Sequence, residues 1–403
     1  MEMRTFSPKT SLPPECSATA DRSVSFIEQV YRTANELGAV DLSVGNAMGP
    51  IPGFLSDALM RVPARSHGYA EVQGHIELRE FVAAAIYQRA GVIVDPNSQC
   101  IITAGASGGL AASILALFRP GDEIIVFQPF YEPYKGLFQN FGLKPRPVNL
   151  DPATVWSFCP DELESAFSNS PAGLILNSPN NPTGCCFGKE QLDLIAELSL
   201  RHGTICLSDE TYDEIFFSDQ PPLSIVDTRL WPHNAVRIGS FSKTYAISGW
   251  RIGSVVSSAE LTARILSAHE SLTGSIANPL QLAATAVTAA PKTFLSKARQ
   301  EYKSRRDLLH RLLTDLGFRG ELPQGGMFLT MRPPFDSAID RDPFQLAMQL
   351  VHEAGVGIVP LEAFYTEPDE KTALWWRVCF ARPKEQLELG VRRIDGWLRN
   401  ERN

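Results

Sequence analysis

Short apolar runs alternate with segments of helical apolar spacing along most of the chain. Strand-like runs begin near residues 101, 123, 174, 204, 235 and 251. Helical spacing covers 24–37, 76–85 and 110–118. Uninterrupted apolar runs are typical of strands that are buried on both faces of a parallel sheet. Near Ala289 the alternation gives way to a long charged helix over 296–316, a helix around 344–354 and short strands over 356–359 and 374–380, so we predict a domain boundary there.

The carboxyl end of the run at 235–238 carries a Ser-x-Ser-Lys segment that ends at Lys243. Ligands of open α/β sheets bind at this edge. A lysine held there, partly desolvated and near other cations, loses some protonation and becomes a nucleophile towards carbonyl groups, which predicts Schiff-base chemistry. A plain surface lysine is the alternative for this segment taken alone. A nucleotide phosphate loop is excluded, because Ser242 precedes the lysine and no Gly-x-x-x-x-Gly-Lys frame fits.

Two further strand ends carry groups suited to a flat, anionic ligand. Gly105, Ala106 and Ser107 form a small-residue turn before a helix, where backbone N–H groups can bind an anion such as phosphate. The turn is not Gly-x-Gly-x-x-Gly, which argues against a dinucleotide site. Tyr131 follows the run that begins at Glu123 and is placed either to stack on a planar ring or to pack in the core.

Polar residues also end the next two strands. Asn181 lies in the run Ser-Pro-Asn-Asn-Pro-Thr-Gly, a turn that presents an amide at the same sheet edge. Asp209 ends the strand that begins at Thr204, and it could cap a helix or keep a pyridine nitrogen protonated by ion pairing. Tyr212, three residues later, could donate to a phenolic oxygen of the same ring.

The composition favours a globular protein that acts on small molecules. The 403 residues, 44% of them hydrophobic, can bury more than one core. A net charge of −8 without basic runs argues against nucleic acid or an anionic membrane as partner. Seven cysteines without a Cys-x-x-Cys pair predict reduced thiols, a cytoplasmic setting and no metal site. We expect residues 1–23 to form a polar arm rather than a signal peptide, and no run approaches transmembrane length.

Together these segments resemble the aminotransferase class I and II family, whose members are pyridoxal 5′-phosphate (PLP) enzymes of fold type I. The similarity extends over nearly the whole chain from about Val24, and its specific parts are 178–184, 209–212 and 240–253, in the family's order and spacing.

The fold that the resemblance implies is α/β. It consists of a large PLP-binding domain, 46–289, with a mainly parallel central sheet flanked by helices. A smaller α+β domain is built from both chain ends, 24–45 and 290–403.

The resemblance also implies a role for each candidate residue. Lys243 would bind the cofactor covalently and move the substrate proton, Asp209 would pair with the ring nitrogen, and Tyr212 would bind the phenolic oxygen. Asn181 would contact that oxygen and the substrate carboxylate. Tyr131 would stack on the cofactor ring, and Ser242 would also contact the cofactor. The phosphate would be held by Gly105, Ala106, Ser107, Ser240 and Arg251, and Tyr69 would reach the phosphate of the neighbouring subunit. Gly45 and Arg377 would contact the substrate.

The implied function is transfer of an amino group between an L-amino acid and a 2-oxo acid, in a homodimer whose subunits share sites through Tyr69. The loop that begins at Gly45 departs from the family's Gly-x-Pro-Asp pattern, and Ser107 stands where some aspartate-specific relatives have lysine. These departures favour neutral or aromatic substrates slightly, and so do Trp375 and Phe364, which we expect to be apolar neighbours of the substrate.

Two alternatives stay open at this point. A β- or γ-lyase, such as a C–S lyase, uses the same lysine chemistry and is not separated from a transaminase by the motifs. A non-catalytic, PLP-binding regulator is disfavoured, because an arm of about 20 residues is shorter than the ~50 residues of a small DNA-binding domain.

Overall fold

The computed structural model describes residues 24–47, 50–334, 342–368 and 375–401. The predicted arm at 1–23 and the middle of the loop after Gly45 lie outside these ranges. The helices are α1 (Phe26–Leu37), α2 (Gly53–Met60), α3 (Ile76–Ala90), α4 (Gly105–Leu117), α5 (Tyr134–Phe141), α6 (Pro160–Phe167), α7 (Lys189–His202), α8 (Phe241–Thr244), α9 (Ala259–Thr273), α10 (Asn278–Ala284), α11 (Phe294–Asp315), α12 (Pro343–Gln349) and α13 (Lys384–Glu401). The strands are β1 (Val40–Asp41), β2 (Cys100–Ala104), β3 (Glu123–Gln128), β4 (Lys144–Asp151), β5 (Ser157–Phe158), β6 (Gly173–Asn177), β7 (Ile205–Asp209), β8 (Ala235–Ser240), β9 (Ile252–Ser257), β10 (Phe328–Met331), β11 (Val356–Gly357), β12 (Val359–Pro360) and β13 (Trp376–Cys379).

Eight strands form the central sheet, in the order β2-β9-β8-β7-β6-β3-β4-β5. Within the described residues four of its seven pairings are parallel, and these join β4, β3, β6, β7 and β8 in its middle. The prediction of a mainly parallel sheet is confirmed. Because parallel strands end at the same edge, the segments that follow β3, β6, β7 and β8 come together there.

Both faces of the central sheet are buried, as the uninterrupted apolar runs predicted. In β3, Ile124 and Val126 belong to a core shared with α4 and α9, whereas Ile125 and Phe127 belong to a core shared with α3, α6 and α7. Successive side chains of a strand point to opposite faces, so a strand packed on both sides must be apolar throughout. Two layers of helices therefore enclose the sheet.

Two smaller sheets lie in the remainder of the chain. β1 pairs in parallel with β11, and β10, β13 and β12 form an antiparallel sheet. Their core includes Leu309 of α11, Trp376 of β13 and Ile394 of α13. The division of the chain at 45/46 and 289/290 remains a proposal. Among helices of the described ranges, none combines the length and apolar character needed to cross a membrane.

One predicted element differs from the structure. The single strand predicted over 356–359 is wrong, because β11 pairs with β1 and β12 pairs with β13 in another sheet. An apolar run shows that a segment is buried and does not show where it changes partners. The predicted helix around 344–354 is α12, followed by one π-helical turn at Leu350–Ala354.

Candidate active site

A cavity of about 380 Å³ lies at the carboxyl ends of β3, β6, β7 and β8. Segments far apart in the sequence meet at this edge because the four strands are parallel neighbours. Twelve of the fourteen candidate residues line the cavity: Gly45, Ala106, Ser107, Tyr131, Asn181, Asp209, Tyr212, Ser240, Ser242, Lys243, Arg251 and Arg377.

Lys243 lies on α8, the short helix that follows β8 directly. The Ser240 hydroxyl accepts a hydrogen bond from the Ser242 N–H at 3.1 Å and so caps this turn. The Lys243 amine donates to the Gly45 carbonyl oxygen at 2.5 Å. Burial lowers the pKa of Lys243 to about 8, and the guanidinium groups of Arg251 and Arg377 act in the same direction. Part of the amine is therefore neutral and nucleophilic near neutral pH.

Asp209 is the last residue of β7 and has a buried carboxylate. Its Oδ1 accepts from the Thr211 N–H at 3.1 Å and from the Thr211 hydroxyl at 2.6 Å, and its Oδ2 accepts from the Tyr134 hydroxyl at 2.6 Å. Burial raises the pKa of Asp209, and these hydrogen bonds oppose that change by stabilising the ionised form. The carboxylate can accept a hydrogen bond from a protonated ring nitrogen in the cavity.

The part of the cavity at the start of α4 suits an anion. Helix α4 begins at Gly105 immediately after β2, so no separate turn intervenes, and Ala106 and Ser107 form its first turn. Gly105 has φ +69°, and a Cβ there would lie 2.6 Å from Nη2 of Arg251. Because residue 105 is glycine, the Arg251 guanidinium can lie against the start of α4. It is then next to the N–H groups of the first turn, which have no partner within the helix. A guanidinium beside a helix N-terminus suits an anion such as phosphate.

Arg377 on β13 is 1% exposed. Its Nη1 donates to Oδ1 of Asn181 at 3.0 Å, and its Nη2 donates to the Ser43 carbonyl oxygen. The guanidinium carbon lies 4.1 Å from the ring centroid of Phe328 and 4.7 Å from that of Phe364. Burial lowers the pKa of Arg377, but a guanidinium stays charged. A fixed, dry guanidinium at the cavity wall is suited to a carboxylate.

Two candidate residues do not line the cavity. Gly105 lies against Arg251, whereas Tyr69 is 95% exposed and lies outside the cavity of its own chain. Trp375 and Phe364, the expected neighbours of the substrate, are also absent from the lining of the cavity. Trp375 packs edge-on against Trp156 at 5.3 Å, and Phe364 covers Arg377, because both are taken up by the core beside β13.

Several residues of the cavity are not among the predicted ones. Tyr134 and Thr211 follow Tyr131 and Asp209 by three and two residues, and that proximity was the available signal. The start of α1 carried no signal, because a tertiary hydrogen bond from the Phe26 N–H to Oε1 of Glu132, 2.9 Å long, holds it there. The lining residues that were not predicted include Ser25, Ile27, Glu28, Val44, Tyr134, Asn177, Thr211 and Phe328.

Comparison with known proteins identifies the same group of enzymes. The family model for aminotransferase class I and II matches residues 39–394. Human kynurenine–oxoglutarate transaminase 3 is 26% identical over 375 residues, covering 86% of this chain and 82% of that protein. The methionine aminotransferase of Escherichia coli strain K12 is 29% identical, covering 91% and 94%. The structure of N-succinyldiaminopimelate aminotransferase from Mycobacterium tuberculosis superposes with a TM-score of 0.87 at 27% identity, covering 94% and 99%.

Proposed function

The chain belongs to the aminotransferase class I and II family, and from that premise we propose that its cavity holds PLP and transfers an amino group between an L-amino acid and a 2-oxo acid. The observation that carries the proposal is the position of Lys243. Burial lowers the pKa of its amine to about 8. Lys243 lines the same cavity as the buried Asp209 carboxylate and the start of α4.

The side chains present fit this cofactor at three separate places. Lys243 would take its aldehyde, Asp209 its ring nitrogen, and the start of α4 with Arg251 its phosphate. The Ser242 hydroxyl, buried and without a partner in the described ranges, adds a donor beside the lysine. When bound, PLP supplies an aldehyde that bonds to amines and a ring that withdraws electrons from the substrate α-carbon.

The protein's own groups would then do five things. The Arg377 guanidinium would bind the substrate α-carboxylate and thereby fix the orientation of the α-carbon. Nζ of Lys243, when neutral, would accept the proton from the α-carbon and deliver it to the carbon atom that carries the cofactor's aldehyde. The Asp209 carboxylate would keep the ring nitrogen protonated by ion pairing, and Tyr131 would stack on the ring. Tyr212 and Asn181 would hydrogen-bond the phenolic oxygen.

The walls of the cavity support a neutral or aromatic amino acid as donor. Lys243, Arg251 and Arg377 are its cations in the described part of the chain, and each is assigned to the cofactor or the α-carboxylate. Ile27 and Val44 add apolar surface to its lining. An acidic side chain would find no free cation there and would lose hydration without compensation.

A homodimer is part of the proposal. Tyr69 is 95% exposed, and a phenol of this kind can reach a neighbouring subunit's cofactor phosphate. A site completed by the partner would make activity depend on association.

The proposal is tested with the purified protein, a set of L-amino acids and a set of 2-oxo acids. We expect equimolar formation of a new amino acid and a new 2-oxo acid, best with neutral or aromatic donors. Lys243→Ala should abolish the reaction, whereas Lys297→Ala, an exposed lysine of α11, should leave it unchanged. Release of ammonia from a single amino acid, without an acceptor, would instead identify a lyase.

A further inference from the structure

The Asp209 carboxylate is fixed by more than one neighbour. Of the four lone-pair sites of a carboxylate, two on Oδ1 are filled by Thr211 and one on Oδ2 by Tyr134. One lone pair, on Oδ2, stays open in the described part of the chain. Because Asp209 lines the cavity, that lone pair is the one available to a ligand.

Tyr134 is itself held rigidly. It is 1% exposed, its ring lies nearly parallel to Phe130 at 6.2 Å, and it is perpendicular to Tyr131 at 5.6 Å. Burial and the charge of Asp209 raise its pKa well above the ordinary value, so its hydroxyl remains a donor. Tyr134 therefore connects the Asp209 carboxylate to Tyr131, the residue assigned to stack on the cofactor.

We infer that Tyr134 is a positioning residue for the reaction, because its hydroxyl sets the direction of the open lone pair on Oδ2 of Asp209. The inference rests on the proposed function, in which that oxygen accepts the N–H of the cofactor ring. Without the hydroxyl, the carboxylate keeps its Oδ1 contacts and can rotate Oδ2 about them. Asp209 would then bind the ring nitrogen less well even though it is still present.

The test uses the full chain freed of cofactor and measures binding of pyridoxamine 5′-phosphate by equilibrium dialysis. This ligand carries no aldehyde, so its affinity does not include a covalent bond to Lys243. We expect Tyr134→Phe to raise its Kd about 10-fold, as for a lost hydrogen bond to a charged group. Thr211→Val, which removes the other side-chain donor to Asp209, should act in the same direction. Tyr87→Phe, a 58% exposed tyrosine on α3, is the matched control and should change Kd less than about 2-fold.

A double-mutant cycle separates positioning from packing. In the Asp209→Asn background, Tyr134→Phe should change Kd less than about 3-fold, because the charged acceptor is gone. In the reconstituted enzyme, Tyr134→Phe should lower kcat about 10-fold. KM should stay within about 2-fold, because the amino acid substrate binds other residues such as Arg377.

Two results would overturn the inference while the proposed function stands: an unchanged Kd in Tyr134→Phe, or an equal effect in both backgrounds. A wild-type protein that does not bind pyridoxamine 5′-phosphate would overturn the proposed function and the inference with it.

Discussion

Replacing Gly45 by alanine is expected to damage the substrate side of the site through two neighbouring contacts. A Cβ at residue 45 would lie 2.4 Å from Cζ of Phe328 and 3.3 Å from both adjacent ring carbons. Carbon atoms in contact lie about 3.5–4.0 Å apart, so the ring must move by about 1 Å. The same ring supports the Arg377 guanidinium at 4.1 Å, and the Gly45 carbonyl accepts from Lys243.

The expected size follows from these distances. Overpacking of this kind costs about 1–3 kcal/mol of folding free energy. A displacement of about 1 Å in a group that orients the substrate costs up to about 10²-fold in rate. We therefore expect Gly45→Ala to lower kcat/KM about 10–100-fold and to lower the free energy of unfolding by about 1–3 kcal/mol.

Steady-state kinetics with the preferred donor and urea unfolding measure the two effects. Gly396→Ala in α13 is the matched control, because a Cβ there meets no atom within 4 Å. It should leave kcat/KM unchanged and stabilise the helix by about 1 kcal/mol. If Gly45→Ala kept kcat/KM within about 2-fold of wild type, the argument that Phe328 transmits the shift to Arg377 would be wrong.

Three further predictions concern charged groups. Arg377→Lys should lower kcat/KM about 10²-fold in steady-state kinetics, because an ammonium loses the bidentate carboxylate contact; a loss below about 3-fold would contradict that role. Arg237→Met should lower the free energy of unfolding by about 3–5 kcal/mol in urea, since it leaves the 1% exposed Glu210 carboxylate, 2.7 Å from Nε, without its cation. Arg201→Met, which breaks an exposed pair, is the control and should cost less than about 1 kcal/mol; equal losses would refute the argument from burial. Burial lowers the pKa of Lys243 to about 8. The rate of its reductive methylation in the cofactor-free protein, measured by mass spectrometry, should therefore rise with pH through a midpoint near 8. A midpoint near the ordinary lysine pKa of about 10.4 would contradict that lowered pKa.

The strands that end at the cavity could be predicted because each is an apolar run followed by polar residues. β4 could not, since its sequence Lys-Pro-Arg-Pro-Val-Asn-Leu-Asp has no such run. Pro145 and Pro147 pair only towards β3, and β5 joins the other side of β4 only at Leu150 and Asp151. A strand whose outer side is unpaired tolerates proline, which lacks the N–H that a second neighbour would require.

Some residues of the candidate site could likewise be predicted from the sequence and others could not. Lys243, Asp209 and Asn181 could be predicted because each occupies a local motif at a strand end. Tyr134 could not be assigned, because its hydrogen bond joins residues 75 positions apart. The first residues of α1 reach the cavity through a contact that spans 106 positions. Contacts of this range depend on the packed fold and leave no periodic pattern in the sequence.

The most direct test of the central claim is a single half-reaction with the purified, PLP-loaded protein, one amino donor and no acceptor. Absorption of the bound cofactor and the 2-oxo acid product are followed together. The account predicts loss of the visible band with one equivalent of 2-oxo acid per site, no ammonia, and no reaction in Lys243→Ala. Multiple turnovers that release ammonia, or an unchanged band with every amino acid, would contradict amino transfer at Lys243.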